Sequence, residues 1–100
     1  MTEQGERVEV TRNEAEERWE ARAGGELGVL TYSEQDGKLY LLHTEVPEAM
    51  EGQGIGSRLV KAAMDYAREA GEKVVPFCPF ARAYIERHRK DYEDLVAHSD

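Results

Sequence analysis

The chain has little of what disulfide frameworks, metal clusters and membrane spans need. It carries one cysteine, Cys78, among 100 residues, so no internal disulfide and no thiolate metal cluster can form, and we expect no bound metal. No apolar run approaches the roughly 20 residues of a membrane-spanning helix. The first residues, Met1 to Arg7, lack the apolar core of a signal peptide. These absences lead us to expect a cytoplasmic protein without a membrane partner.

Positive charge is also scarce, since 13 Lys and Arg stand against 21 Asp and Glu and the net charge is −8. This balance argues against nonspecific binding to nucleic acid. It suits a cationic partner such as an amine, although acidic surfaces also serve solubility alone. The length suits one domain, which we predict over residues 1–100 with 1–6 disordered, as a monomer or a weak dimer.

Hydrophobic patterning predicts an α+β layout. Alternating polar and apolar residues indicate strands, and Gly24-Gly25 and Asp36-Gly37 are typical of tight hairpin turns. The predicted strands are 7–11, 17–22, 27–33, 39–46 and 73–77. Residues 39–46 are apolar on both faces over their first half, which is typical of a central strand.

The period then changes to that of a helix. Apolar residues recur at three- and four-residue spacing over 56–70, and Gly71 is a suitable helix end. A short helix is predicted over 81–88, with a closing turn at 92–96. The predicted fold is therefore a mostly antiparallel sheet built as a strand meander, one long helix after the central strand, then a strand and a short helix.

A glycine-rich loop joins the central strand to the long helix. A helix start leaves about four backbone N–H groups unpaired and carries partial positive charge. Glycines at 52, 54 and 56 remove the Cβ atoms that would keep a ligand from those amides. The pattern predicts a phosphate site, to which Arg58 and Lys61 would add charge. The alternative is that the glycines only form a tight turn.

Two common phosphate loops do not fit this segment. The mononucleotide loop places a lysine between its last glycine and Ser or Thr, whereas Gly56 and Ser57 are adjacent here. The dinucleotide motif has glycine at its first, third and sixth positions. Counted from Gly52 the sixth position is Ser57, and counted from Gly54 it is Leu59.

The segment Glu51-Gly-Gln-Gly-Ile-Gly56 resembles the pyrophosphate signature of the GNAT superfamily of N-acetyltransferases, which reads Gln or Arg, two residues, Gly, one residue, then Gly or Ala. Glu51 departs from it. Residues 7–96 as a whole resemble a minimal single-domain GNAT subgroup. The resemblance rests on this glycine segment together with His43-Thr-Glu-Val-Pro47, Val75-Pro-Phe-Cys-Pro-Phe80 and Tyr84-Ile85. The resemblance implies a truncated GNAT-like fold and an acyl-CoA-dependent N-acyltransferase.

The resemblance further implies that acetyl-CoA, as co-substrate, lies where the central strand and the strand after the helix splay apart, with its pantetheine arm along residues 44–46. Pro76 and Pro79 independently indicate a place where strand pairing stops. The residues predicted to bind the cofactor are Thr44, Val46, Glu51, Gly52, Gln53, Gly54, Ile55, Gly56, Ser57, Arg58 and Pro79.

The acceptor is less defined by the sequence. The helices that help to form the acceptor site in larger GNAT relatives are missing, because only a turn separates the first two predicted strands. The resemblance implies an amine as the acceptor, either a small molecule or an exposed protein amine. An acyl-CoA-binding module with little or no catalysis is the main alternative, and a phosphate-binding interaction domain is a third.

Four residues are candidates for catalysis. Cys78 is a nucleophile for an acyl-enzyme, or a small core residue. His43 and Glu45 lie two apart, hence on one face of the strand, where either can act as general base. The resemblance implies that Tyr84 is the general acid, although it falls one position earlier than the usual spacing.

Overall fold

A computed structural model describes residues 8–97. Residues 1–7 and 98–100 lie outside the described residues, and the predicted disorder of 1–6 falls among them. The strands are β1 (Glu9–Asn13), β2 (Arg18–Ala23), β3 (Glu26–Gln35), β4 (Lys38–Glu45) and β5 (Lys73–Pro76), and the helices are α1 (Ile55–Ala70), α2 (Pro79–Arg87) and α3 (Arg89–Tyr92), with a 3-10 turn at Glu48–Met50. Within residues 8–97, no helix is both long and apolar enough to cross a bilayer.

The five strands form one sheet in chain order, with antiparallel pairing from β1 to β4 and parallel pairing of β5 to β4. The two predicted hairpins are present, and Asp36 and Gly37 both take positive φ, at 53° and 77°, as a tight two-residue turn requires. The predicted α+β fold with a mostly antiparallel sheet is therefore confirmed.

Several predicted boundaries were wrong by a few residues. The first strand runs over Glu9–Asn13 instead of 7–11, because Asn13 still pairs with Arg18 while its Oδ1 accepts a hydrogen bond from the Glu16 N–H at 3.1 Å. The short helix predicted over 81–88 begins at Pro79, since the fixed φ of proline suits the first helical position.

Helix α1 packs across one face of the sheet. Its apolar residues follow the helical period, and the single tryptophan, Trp19, lies between Tyr32 and Tyr66 with ring centroids 4.6 and 5.5 Å away. The buried α1 residues are Ile55, Gly56, Leu59, Val60, Ala63, Met64 and Ala67. This packing places the start of α1, and hence the glycine loop, against the start of β3 and the end of β4.

The opposite face of the sheet carries exposed and charged residues. Glu20 on that face is 4% exposed. It accepts hydrogen bonds from Asn13, Arg18 and Arg22, which hold the pKa of Glu20 below its usual range. This carboxylate is therefore held within a network of ion pairs, in keeping with a structural role.

A β-bulge interrupts β4. Leu41 pairs with Tyr32 and His43 pairs with Thr31, so Leu42 has no partner on β3. The predicted central position of this strand is confirmed, since β4 lies between β3 and β5, but Leu42 is 42% exposed. The extra residue also reverses which face the following side chains occupy.

Strands β4 and β5 diverge after Leu41. Their pairing runs from Lys38 with Lys73 to Leu41 with Pro76. The N–H groups of Phe77 and Cys78 then both donate to the Leu41 carbonyl, at 2.9 and 3.0 Å. Because β4 continues to residue 45 paired with β3, its edge towards α2 is open beyond Leu41, as the prolines predicted.

The chain returns to β5 near its end. The Val74 N–H donates to the Leu95 carbonyl at 2.7 Å and the Val74 carbonyl accepts from the Ala97 N–H at 2.9 Å, which makes a parallel bridge between Val74 and Val96. Lys73 Nζ donates to the Asp94 carbonyl oxygen at 2.6 Å. The predicted closing turn thus lies along the outer edge of β5.

A polar cluster fixes the other end of α1. The Tyr66 hydroxyl donates to the Glu34 carboxylate, and this bond, with burial, raises the pKa of Tyr66 to about 12. The Arg12 guanidinium lies 4.3 Å from the centre of the Tyr66 ring. Burial, and then the nearby Glu34, raise the pKa of Glu72. The cluster ties the C-terminal end of α1 to β1 and β3.

Candidate functional site

A cavity of about 440 Å³ lies between the end of β4, the start of α1 and the start of α2. Backbone of the β4–α1 connection forms most of its wall. The lining residues are Thr44, Val46, Met50, Glu51, Gly52, Gly54, Ile55, Gly56, Ser57 and Phe80. The cavity therefore lies beside the glycine loop and at the open edge of β4.

The start of α1 offers backbone donors to this cavity. Its N-cap is Gly54, at φ 69°, with no side-chain cap, and the first intrahelical bond runs from the Arg58 N–H to the Gly54 carbonyl at 3.1 Å. The N–H groups of residues 55–57 precede that bond and have no acceptor within the helix. A Cβ at Gly54 would meet no atom within 4 Å, so there is room for phosphate oxygens beside these amides.

Gly56 serves a different purpose from Gly54. A Cβ at Gly56 would lie 2.7 Å from the Phe80 ring, so the glycine allows α2 to pack closely against α1. The Phe80 ring, 41% exposed, thereby becomes a wall of the cavity. Sequence reasoning missed Phe80 and the buried Met50. An aromatic residue directly after the helix-initiating Pro79 was an available signal for the former.

Eight of the eleven residues predicted to bind the cofactor line the cavity. Gln53, Arg58 and Pro79 are not among the lining residues. The Gln53 amide turns back to the Ala49 carbonyl at 3.4 Å, Arg58 is exposed in the first turn of α1, and Pro79 begins α2.

Charge near the loop is mixed. Glu51 lines the cavity and brings a carboxylate to it. Lys61 forms an ion pair with Asp65 at 3.0 Å, and this hydrogen bond raises the pKa of Lys61. Within residues 8–97, Arg58 forms no ion pair. Backbone amides, more than side chains, thus supply the positive field for an anion here.

Cys78 lies immediately behind the cavity wall. It is the N-cap of α2 and is 3% exposed. Its Sγ is 3.0 Å from Oγ1 of Thr44, which lines the cavity. The thiol is therefore near the open edge of β4, with the threonine hydroxyl between it and the cavity.

His43 and Glu45 lie together on the opposite face of the sheet from α1. His43 Nε2 is 3.7 Å from Glu45 Oε2, and both side chains are exposed. Glu45 also lines a groove of about 170 Å³ with Leu27, Val46 and Pro47. The bulge thus places the two candidate bases on one side of β4 and Thr44 on the other.

Tyr84 belongs to an aromatic cluster and does not line the cavity. Its ring centroid is 4.3 Å from that of His88 and 6.1 Å from that of Tyr92. Burial, with the neighbouring Tyr84 hydroxyl, raises the pKa of Tyr92. Of the four catalytic candidates, the structure brings Cys78 to the cavity wall, places His43 beside Glu45, and packs Tyr84 of α2 against His88 and Tyr92.

A strand that diverges from its neighbour and leads through a glycine loop into an uncapped helix is an arrangement suited to an anion in an α+β domain. The profile of the GCN5-related N-acetyl-transferase family matches residues 18–95. Because this match covers most of the chain, the protein belongs to that family.

The relatives agree with the assignment. The chain is 34% identical to the NATD1 protein of Gallus gallus over 92 residues, which are 88% of this chain and 83% of that protein. Its match to NATD1 of Xenopus tropicalis, at 42% identity over 48 residues, spans 44% of that relative.

Two solved structures share the fold. A GCN5-like protein of Staphylococcus aureus, described as a candidate N-acetyltransferase, superposes with a TM-score of 0.69 at 27% identity, covering 92% of this chain and 90% of that one. A ribosomal-protein-alanine N-acetyltransferase of Brucella melitensis gives 0.57 at 26% identity, covering 83% and 62%. The expected GNAT-like fold is therefore confirmed.

Proposed function

We propose that this protein is an acyl-CoA-dependent N-acyltransferase that transfers the acetyl group of acetyl-CoA to a primary amine. The observation that carries the proposal is the cavity itself, which joins the uncapped start of α1 to the open edge of β4. Family membership supports the same chemistry, since GNAT proteins generally use acetyl-CoA.

The residues present fit a CoA molecule. The N–H groups of residues 55–57 would hold the pyrophosphate, and the space beside Gly54 leaves them accessible. The open backbone edge over 44–46 would pair with the amides of the pantetheine arm. Phe80 would close the side of the cavity towards α2.

Transfer requires a deprotonated amine, a polarised carbonyl and a protonated leaving thiolate. We assign the proton acceptor to His43, with Glu45 as its partner or substitute, because both are exposed and their Nε2 and Oε2 atoms lie 3.7 Å apart beside the edge of β4. The contacts of Tyr84 favour packing over its predicted role as acid. The burial of Cys78 favours direct transfer over an acyl-cysteine intermediate.

A binding module with little or no catalysis is the second candidate. The observation in its favour is the connection between β1 and β2, which is the tight turn of residues 14–17. This turn is too short to help enclose an acceptor, and the side chains of the candidate bases, His43 and Glu45, are exposed to solvent.

Labelled acetyl-CoA and a broad panel of amines separate the two candidates. The transferase predicts labelled amide with at least one amine. If transfer is direct, Cys78→Ala still forms the same amide, whatever its rate, and wild type forms no labelled protein adduct. A labelled protein adduct that is lost in Cys78→Ala would instead establish the covalent route. If CoA raises the melting temperature but no amine is acetylated, the binding module stands. Equal melting shifts with CoA and inorganic pyrophosphate would remove the CoA assignment itself.

Glu51 is expected to weaken the binding of CoA. Its carboxylate lines the cavity at the position where the family signature has Gln or Arg, and it would repel the pyrophosphate. Glu51→Gln should tighten CoA binding about fivefold in calorimetry at low salt, with a smaller gain at high salt. Glu48→Gln, on the exposed turn before the loop, is the matched control. An equal gain in both variants would show that only net charge matters.

A further inference from the structure

We propose that the side-chain hydroxyl of Thr44 contacts the sulfur of bound acyl-CoA and that Cys78, acting through Thr44, supplies the proton for the leaving thiolate. This inference rests on the proposed transferase function. It assigns a role to the side chain of Thr44, whereas residues 44–46 were expected to contact the cofactor only through their backbone.

The bulge at Leu42 turns Thr44 towards the cavity. With regular alternation after the buried Leu41, residue 43 would share the α1 face and residue 44 would point away. The unpaired Leu42 reverses this, so that Thr44 pairs with the buried Leu30 and faces the cavity. Bulges beside active sites often re-aim one side chain in this way.

Cys78 is held rigidly against Thr44. Its N–H donates to the Leu41 carbonyl at 3.0 Å and its carbonyl accepts from the Arg82 N–H at 2.9 Å. The thiol is 3% exposed and its Sγ is 3.0 Å from Thr44 Oγ1. A hydroxyl both donates and accepts, so when the thiol donates to Thr44, the hydroxyl hydrogen of Thr44 is available to a group in the cavity.

The proton balance of the step is complete. The amine nitrogen bonds to the thioester carbonyl carbon, and the C–S bond then breaks with its electron pair going to the CoA sulfur. That sulfur takes the hydroxyl proton of Thr44 while Thr44 takes the thiol proton of Cys78. The Cys78 thiolate recovers a proton from solvent, equivalent to the one that the amine releases through His43.

A binding experiment tests the contact without any acceptor. The measured quantity is the ratio of the dissociation constants of desulfo-CoA and CoA, determined by calorimetry. We expect this ratio to fall about fivefold in Thr44→Val and to be retained in Thr44→Ser. Thr11→Val on the exposed β1 is the matched control and should leave the ratio unchanged.

The outcomes of this experiment separate the two proposals. A ratio that is the same in wild type and Thr44→Val overturns the contact, while the proposed function stands if CoA still binds. If wild type binds neither ligand, the proposed CoA site fails, and the contact fails with it. Melting curves of each variant show that the loss does not come from unfolding.

A kinetic experiment tests the positioning role of Cys78. We expect Cys78→Ala to lower kcat about tenfold or more while KM for acetyl-CoA changes less than twofold. Cys78→Ser keeps a hydrogen-bond donor that is a far poorer acid, so it should keep the wild-type desulfo-CoA ratio but should not restore kcat. A wild-type kcat in either variant overturns the proton relay.

Discussion

Gly54→Ala is expected to weaken CoA binding about 100-fold. The new Cβ would occupy the open space beside the first amides of α1, where no atom now lies within 4 Å. Losing one or two hydrogen bonds to a charged phosphate costs roughly 2–3 kcal/mol, which corresponds to that factor. Calorimetry with CoA measures the effect directly.

Gly71→Ala is the matched control for this substitution. Gly71 ends the same helix at φ 72°, close to the 69° of Gly54, and a Cβ there also meets nothing within 4 Å. Both variants place alanine in the left-handed region, at about 1–2 kcal/mol. The two should therefore lose similar stability, and only Gly54→Ala should lose CoA. Similar CoA affinities in the two variants would contradict a phosphate site at the start of α1.

Leu59→Ala is expected to lower the free energy of unfolding by about 2–5 kcal/mol. Leu59 is fully buried, and its Cδ1 faces Gly28 on β3. A loss of this size is a large fraction of the roughly 5–15 kcal/mol that stabilises a typical domain. Urea unfolding followed by the fluorescence of Trp19, the only tryptophan, reports it.

Leu42→Ala provides the comparison for Leu59. Leu42 is 42% exposed at the bulge, so its truncation should cost less than about 1 kcal/mol. A larger loss in Leu42→Ala than in Leu59→Ala would mean that the bulge, and not the α1–sheet contact, stabilises the fold.

Local chemistry explains why so much of the fold could be predicted from the sequence. Asp36-Gly37 takes positive φ at both positions, as a type I′ hairpin turn requires, and the apolar period of α1 can be recognised without knowing what α1 packs against. The phosphate site at the glycine loop could also be predicted, because the start of any α-helix has unpaired backbone N–H groups. These features depend on neighbours in sequence.

The missed features depend on neighbours in space. Nothing in Leu41-Leu42-His43 indicates that the middle residue lacks a partner, since the bulge is defined by the register with β3. The place of Phe80 against Gly56 likewise requires the packing of α2 on α1. For this reason the sequence identified Cys78 and His43 as candidates but did not indicate that Thr44 stands between the thiol and the cavity.

The bridge between Val74 and Val96 limits the pairing of this edge of the sheet with another chain. An exposed strand edge invites pairing with a second molecule and so favours aggregation. Here the end of the chain covers the first part of β5, and Pro76 withholds a donor farther along. Between residues 38 and 76, the backbone edge left uncovered on this side is that of β4 beyond Leu41. On this side of the sheet, the arrangement that discourages self-association therefore leaves the edge of β4 beyond Leu41 for a strand-like ligand.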